Sequence, residues 1–129
     1  MPTALTQWVL SLWMLLLAGC SHTPPRRAFV TVDVRNESHV PLDWVKVFSG
    51  ERQLFYSGIL IPNTEKTRLD YVWWKMPDLA TITFVDEQTR QRFNVEISLS
   101  EANARVEGGT CKRVTIRILS YERADVVLQ

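Results

Sequence analysis

Residues 80–99 read ATITFVDEQTRQRFNVEISL, and this stretch decides the class of fold. The apolar residues at positions 80, 82 and 84 alternate with two threonines and a valine. After a polar turn at 86–89, apolar residues return at every second position, at Phe93, Val95, Ile97 and Leu99. Because successive side chains of a strand point to opposite faces of a sheet, this period of two predicts a β-hairpin with one buried face.

The same period of two continues on both sides of this hairpin. Trp73 extends the third set below, and further strands are expected at 53–61 and 126–128. The residues predicted to share a face are, in chain order, Val30, Val32 and Val34; Val45 and Val47, opposite Trp44, Lys46 and Phe48; Thr67, Leu69 and Tyr71; and Val114, Ile116 and Ile118.

These patterns predict an all-β fold. About seven short strands with frequent turns indicate a single antiparallel β-sandwich of immunoglobulin or fibronectin type, with an open barrel as the alternative. One helical turn is expected at 100–105, with Ser100 as its N-cap, and it should end before the glycines at 108 and 109.

Composition narrows the function. The formal net charge of +1 does not match the strongly basic surface of a nucleic-acid-binding protein. The two histidines, His22 and His39, occur without the spacing of a zinc site or the neighbours of a catalytic triad. No catalytic residue, metal or cofactor is therefore predicted, although scattered carboxylates leave open an enzyme with an unrecognised acid pair.

A separate signal precedes the predicted domain. The apolar run at 8–17 ends in Leu17-Ala18-Gly19-Cys20, which resembles the lipobox of bacterial lipoproteins. The resemblance implies removal of residues 1–19 as a signal peptide and attachment of lipid to Cys20. An uncleaved membrane helix fits less well, because the apolar stretch is shorter than the roughly 18 to 20 residues that span a bilayer.

The lipobox resemblance also implies an arrangement for the mature chain. Residues 20–27 would form the lipid anchor and a proline-containing spacer, and residues 28–129 the β-sandwich domain. Ser21, after the lipidated cysteine, implies the outer membrane, with the domain facing the periplasm. If Cys20 carries lipid, Cys111 has no intramolecular disulfide partner.

The segment Tyr71-Val72-Trp73-Trp74-Lys75-Met76-Pro77 contains consecutive tryptophans. In extended backbone both rings cannot face the core, and Trp73 has the inward parity, so Trp74 is predicted to be exposed. An exposed tryptophan flanked by Tyr71, Lys75 and Met76 has the composition of a protein-binding hot spot. The alternative is an aromatic lid over the edge of the sandwich.

Four arginines form a second candidate surface. Arg113 and Arg117 share the outward side of one predicted strand, and Arg90 and Arg92 the outward side of a hairpin arm. If these strands are neighbours, the four guanidinium groups form a patch for carboxylate or phosphate groups. A solvated face partly paired with Glu96 is the alternative.

Together these features predict a lipid-anchored, periplasmic protein-binding module. In size, anchor and plain sandwich build, the chain resembles the small lipoprotein immunity proteins that act against envelope-targeting toxins, which implies an inhibitor. The alternatives are a structural or accessory lipoprotein of an envelope assembly or secretion machine and the carboxylate enzyme. The expected partners are the membrane, through the N-terminal lipid, and a periplasmic protein.

Overall fold

The computed structural model describes residues 28–73 and 77–129, so the lipobox, Cys20, the spacer and residues 74–76 lie outside the described residues. The described residues form eight strands and one helix. These are β1 (Ala28–Asn36), β2 (Leu42–Ser49), β3 (Arg52–Ser57), β4 (Thr64–Trp73), β5 (Leu79–Asp86), β6 (Arg92–Ser98), α1 (Ser100–Glu107), β7 (Arg113–Ile118) and β8 (Ala124–Leu128).

The strands form two four-stranded sheets. The first sheet has the order β4-β1-β7-β8 and the second the order β3-β2-β5-β6. The prediction of an all-β protein is confirmed, with eight strands in place of about seven. The prediction of a wholly antiparallel arrangement is wrong, because β1 and β7 pair in parallel. Alternation reveals which face of a strand is buried but not which strand lies beside it.

A shared hydrophobic core lies between the two sheets. Val34 and Ile116 of the first sheet and Val45 and Ile82 of the second belong to one cluster of buried residues. These residues all come from the alternating sets, because the period of two puts every second side chain on the inner face. The predicted inward positions are thus confirmed for β1, β2, β5, β6 and β7, with Phe93 of β6 only partly buried against the core.

The hairpin of β5 and β6 forms as predicted. Ile82 pairs with Val95 and Phe84 with Phe93 across the two strands. The carboxylate of Asp86 stabilises the turn. Its Oδ1 accepts the backbone N–H of Gln88 over 2.8 Å and that of Thr89 over 3.0 Å. Aspartate at this position is typical of tight turns for that reason.

The helix α1 covers one end of the sandwich. It is longer than predicted, and its N-cap is Leu99, which makes no side-chain cap hydrogen bond, so the assignment of that role to Ser100 was wrong. The buried side chains of α1 are Ala102, Asn103 and Val106. The helix ends at the predicted glycines, where Gly109 has a φ of +74° that a side chain would resist.

The strand β4 departs from its predicted parity. Tyr71 and Trp73 are buried, but Leu69 is 68 % exposed, and Thr67 faces outward, where its hydroxyl donates to Asp33 over 2.6 Å. The pairing of β4 with β1 shifts register between Val30 and Val32. A bulge of this kind inserts an extra residue and turns the following side chains to the other face. The prediction that Thr67, Leu69 and Tyr71 share a face is therefore wrong.

Candidate functional site

The predicted aromatic segment lies partly in the core. Tyr71 and Trp73 are 5 % and 7 % exposed, and their rings meet edge to face with centroids 6.2 Å apart. The indole Nε1–H of Trp73 donates to Oδ1 of Asn103 in α1 over 3.0 Å. The inward parity predicted for Trp73 is confirmed. Trp74, Lys75 and Met76 lie outside the described residues.

The four predicted arginines do not form one patch. Arg113 and Arg117 lie on β7 of the first sheet, whereas Arg90 and Arg92 lie at the turn and arm of the hairpin in the second sheet. The prediction required these strands to be neighbours, and it is wrong because they belong to different sheets. Arg113 pairs with Asp33 over 3.0 Å, so its charge is already compensated within the fold.

The outer face of the second sheet brings together aromatic and basic residues that no motif of the sequence connects. Trp44 is 53 % exposed and Tyr56 is 47 % exposed. The ammonium Nζ of Lys46 lies 5.6 Å from the centroid of the Trp44 ring and 5.9 Å from that of Tyr56. These distances suit cation–π attraction, which holds the lysine between the two rings.

Two grooves flank the ring of Trp44. The larger, of about 300 Å³, and the smaller, of about 190 Å³, are open depressions and not closed cavities. Both are lined by Trp44, Val85 and Arg92, and Arg90 lines only the smaller one. We name this surface, made by Trp44, Lys46, Tyr56, Arg90 and Arg92, the Trp44 face.

The backbone beneath the Trp44 face is strained. Trp44 has a φ of +53° and Arg90 a φ of +62°. The other non-glycine residues with positive φ in the described part of the chain are Asn63 and Asp70, whose side chains tolerate this region, whereas tryptophan and arginine do not. The two unfavourable cases thus lie on the same surface, and such strain is often found at functional sites.

Asp43 holds the two strained residues in place. Its Oδ1 accepts the backbone N–H of Trp44 over 2.8 Å, and its Oδ2 lies 3.6 Å from Nη1 of Arg90. Two residues of β2 oppose one of β5 here, because the pairing runs from Asp43 with Val85 to Lys46 with Thr83. This bulge leaves Asp43 and Trp44 on the same outer side, while Val45 stays in the core.

The charges on the Trp44 face are unbalanced. Within residues 28–73 and 77–129, neither Lys46 nor Arg92 lies within ion-pair distance of a carboxylate. Arg90 is compensated by Asp43, whose side chain is only 13 % exposed. The face therefore presents exposed aromatic rings together with positive charge that the fold does not neutralise.

The hairpin that carries Arg90 and Arg92 is also held by Tyr121, which lies between β7 and β8. The Tyr121 ring stacks on Phe93 with centroids 4.1 Å apart, and its hydroxyl donates to Oδ2 of the buried Asp86. This hydrogen bond lowers the pKa of Asp86 below its ordinary 3.8, helped by the N–H of Thr89, and raises the pKa of Tyr121. These contacts of Tyr121 join the β7–β8 connection to the second sheet.

The sequence contained one signal for this site. Alternation in β2 predicted that Trp44 and Lys46 point away from Val45 and Val47, and an outward tryptophan on a strand is unusual for a residue of its apolar area. Tyr56 gave no such signal. Its position beside Lys46 depends on the register of β2 and β3, in which the two residues pair directly.

In 28–73 and 77–129 no group of three or more His, Cys, Asp or Glu side chains is placed to hold a metal ion. Cys111, the free cysteine of this part of the chain, is buried. None of the described helical residues forms a helix long and apolar enough to cross a membrane.

Comparison with known proteins adds a weak structural likeness. No family model and no curated protein matches the chain. A protein from Eubacterium rectale, solved by NMR, is similar with a TM-score of 0.45 and 11 % sequence identity, over 82 % of this chain and 93 % of that chain.

Proposed function

We propose that this chain is a lipid-anchored protein-binding module of the bacterial envelope, and that its domain contacts a protein partner through the Trp44 face. Anchoring would use Cys20 and would place the domain at the periplasmic side of the outer membrane. Sandwiches of immunoglobulin or fibronectin type serve widely in protein recognition, and we propose that type for this domain.

The observation that carries the proposal is the coincidence of strain and exposure at Trp44. Backbone strain of this kind costs on the order of 1–3 kcal/mol. Because Trp44 is 53 % exposed, much of its apolar surface stays in contact with water and does not offset that cost. Tryptophan, tyrosine and arginine are the residues most enriched in binding hot spots. A partner that covers Trp44 and Tyr56 would recover the free energy that the isolated fold forgoes.

The role proposed for this module is that of an immunity-type inhibitor, which neutralises an envelope-targeting toxin by covering part of its surface. An accessory role in an envelope assembly or secretion machine would use the same face. The two roles predict different gene neighbourhoods, a toxin gene in the first case and an assembly or secretion operon in the second. Trp74, with Lys75 and Met76, remains a second proposed contact.

Site-specific photocrosslinking tests the proposed face. A benzoylphenylalanine in place of Trp44 should yield a discrete crosslinked protein in cells of the native host. The matched control is the same replacement of Phe29, which is also largely exposed but lies in the first sheet. Crosslinking at neither position, or equally at both, would contradict recognition through the Trp44 face.

Metabolic labelling tests the anchor. Cys20→Ala removes the thiol that would receive the lipid, so the variant should lose palmitate incorporation and accumulate as the uncleaved precursor. Cys111→Ala is the control, because its buried thiol is not part of the lipobox and labelling should continue. Persistent labelling of Cys20→Ala would show that the lipoprotein assignment is wrong.

A further inference from the structure

The charges around Trp44 indicate what kind of partner the face accepts. Lys46, Arg90 and Arg92 bring three positive groups to the strands and turn that flank the ring, and among the described residues only Arg90 of these three has an ion-pair partner, the carboxylate of Asp43. That carboxylate is nearly buried and already engaged by Arg90 and by a backbone N–H. Glu96, further along β6, lines a different groove. A partner of opposite charge is therefore favoured.

Arg92 has the position of a recognition residue. It lines both grooves beside Trp44, and no carboxylate of the described residues lies within ion-pair distance of it. A guanidinium presents parallel N–H groups that match the two oxygens of a carboxylate. Thr83 and Asn94 also line the larger groove, and their side chains offer further hydrogen-bonding groups.

On the first sheet, a comparable arginine is paired with carboxylates of the same chain. Arg117 donates from Nε to Oδ1 of Asp125 over 2.7 Å and pairs with Glu37 as well. On the Trp44 face the corresponding acid is missing from the described residues, while the indole ring beside Arg92 supplies apolar area. The complementary group is a carboxylate next to an apolar side chain.

We propose, on the basis of the proposed function, that the protein partner presents an acidic segment to the Trp44 face. An aspartate or glutamate side chain enters the larger groove and accepts hydrogen bonds from Arg92 and Lys46. A neighbouring apolar side chain packs on the ring of Trp44. Lys46 then exchanges part of its contact with the two rings for the incoming carboxylate.

Selection from a phage-displayed library of random dodecapeptides tests this chemistry, with the full chain in detergent as the bait. We expect enrichment of aspartate or glutamate adjacent to an apolar residue. For a selected peptide, Arg92→Gln and Lys46→Gln should each weaken binding about tenfold, and exchange of the peptide's acid for its amide should have the same effect. Lys66→Gln, which removes one exposed charge from β4, is the matched control and should leave binding unchanged.

The outcomes separate this inference from the proposed function. Selected peptides that lack an acid, or that bind equally to the Arg92→Gln variant, overturn the acidic segment, yet the Trp44 face stands if Trp44→Ala abolishes their binding and Trp44 still crosslinks. A selection that returns no Arg92-dependent peptide also overturns it. So does Arg92-dependent binding to phosphatidylglycerol vesicles in place of peptides, because the anion would then be a lipid headgroup.

Discussion

The outer faces of the two sheets carry similar basic residues but leave them in different states. On the first sheet, one cross-strand rung places Glu65, Arg35, Arg117 and Asp125 on β4, β1, β7 and β8. Their ion pairs, with Glu37 between the two arginines, connect the whole width of the sheet. On the second sheet, Lys46 rests between two exposed rings, and Arg92 has no acidic partner among the described residues.

This difference teaches that the number of arginines on a strand does not measure the charge available to a partner. The first face also compensates Asp33, which is 2 % exposed and accepts hydrogen bonds from Thr67 and Thr115 in addition to its ion pair with Arg113. A network of this kind stabilises the sheet. The second face holds backbone strain and positive charge that no carboxylate of the described residues compensates.

Removal of Asp33 should have the largest effect on this comparison. Asp33→Ala leaves two threonine hydroxyls and the guanidinium of Arg113 without their acceptor at the centre of the first sheet. We expect a loss of about 3 kcal/mol in the free energy of unfolding, measured by urea denaturation.

Glu65→Ala is the control for this prediction. Glu65 is about half exposed and lies 4.0 Å from Arg35, so its removal should cost less than about 0.5 kcal/mol. Equal losses for the two variants would contradict the difference between the buried carboxylate of Asp33 and the half-exposed carboxylate of Glu65.

Replacement of Arg113, which has an ion-pair partner, and of Arg92, which has none among the described residues, should affect stability differently. Arg113→Gln leaves the buried carboxylate of Asp33 without its cation and should lower the free energy of unfolding by about 1–2 kcal/mol, since the arginine itself is half exposed. Arg92→Gln should change it by less than about 0.5 kcal/mol. Thermal denaturation of both variants at the same pH makes the comparison, and a reversed order would contradict it.

The hydrogen bond between Tyr121 and Asp86, behind the second sheet, should affect how stability depends on pH. Because the pKa of Asp86 is lowered in the folded state, chiefly by the Tyr121 hydroxyl, its contribution is present above its ordinary pKa of 3.8 and is lost as the pH falls through the lower folded value. Tyr121→Phe should therefore melt at a lower temperature than the native chain at neutral pH. The gap should narrow in acid.

The pKa of Tyr121 sets a second limit, at high pH, to the range in which this hydrogen bond contributes to stability. Its pKa is raised above the ordinary 10.0 by the same hydrogen bond, so its contribution is present below that value and is lost as the pH rises through the higher folded pKa. The difference in melting temperature between the native chain and Tyr121→Phe should be constant between about pH 5 and 9. A difference that grows in acid would show that the hydrogen bond has another role.

A small effect on stability, of opposite sign, is expected at Trp44. Asparagine tolerates positive φ, so Trp44→Asn should leave the free energy of unfolding unchanged or raise it by up to about 1 kcal/mol. The same variant should lose crosslinking to the partner from a benzoylphenylalanine placed at Tyr56. A clear loss of stability would identify the ring as structural and would remove the argument from strain.

Much of the core could be predicted from local pattern. Val34, Ile82, Val95 and Ile116 lie where the alternation places them, because a strand turns every second side chain to the same face. The prediction was wrong for Leu69, since a bulge in β4 changes the parity and the alternation of the segment does not show where a bulge occurs.

The candidate site could be predicted only in part. The outward orientation of Trp44 and Lys46 followed from the alternation of β2. The four-arginine patch did not form, because Arg90 and Arg92 are in one sheet and Arg113 and Arg117 in the other. Tyr56 joined the site through a strand pairing that its own sequence context does not encode.

The sequence by itself determined the all-β class, the hairpin of β5 and β6 and the inward faces of most strands. These depend on neighbours a few residues apart, within reach of a period of two or a turn. Only the tertiary structure decided that β1 and β7 are parallel, that Asp33 and Thr115 share a hydrogen bond, and that Arg90 pairs with Asp43 beside the strained Trp44. Each of these depends on contacts between residues distant in the chain, and alternation within one strand carries no information about which strand lies beside it.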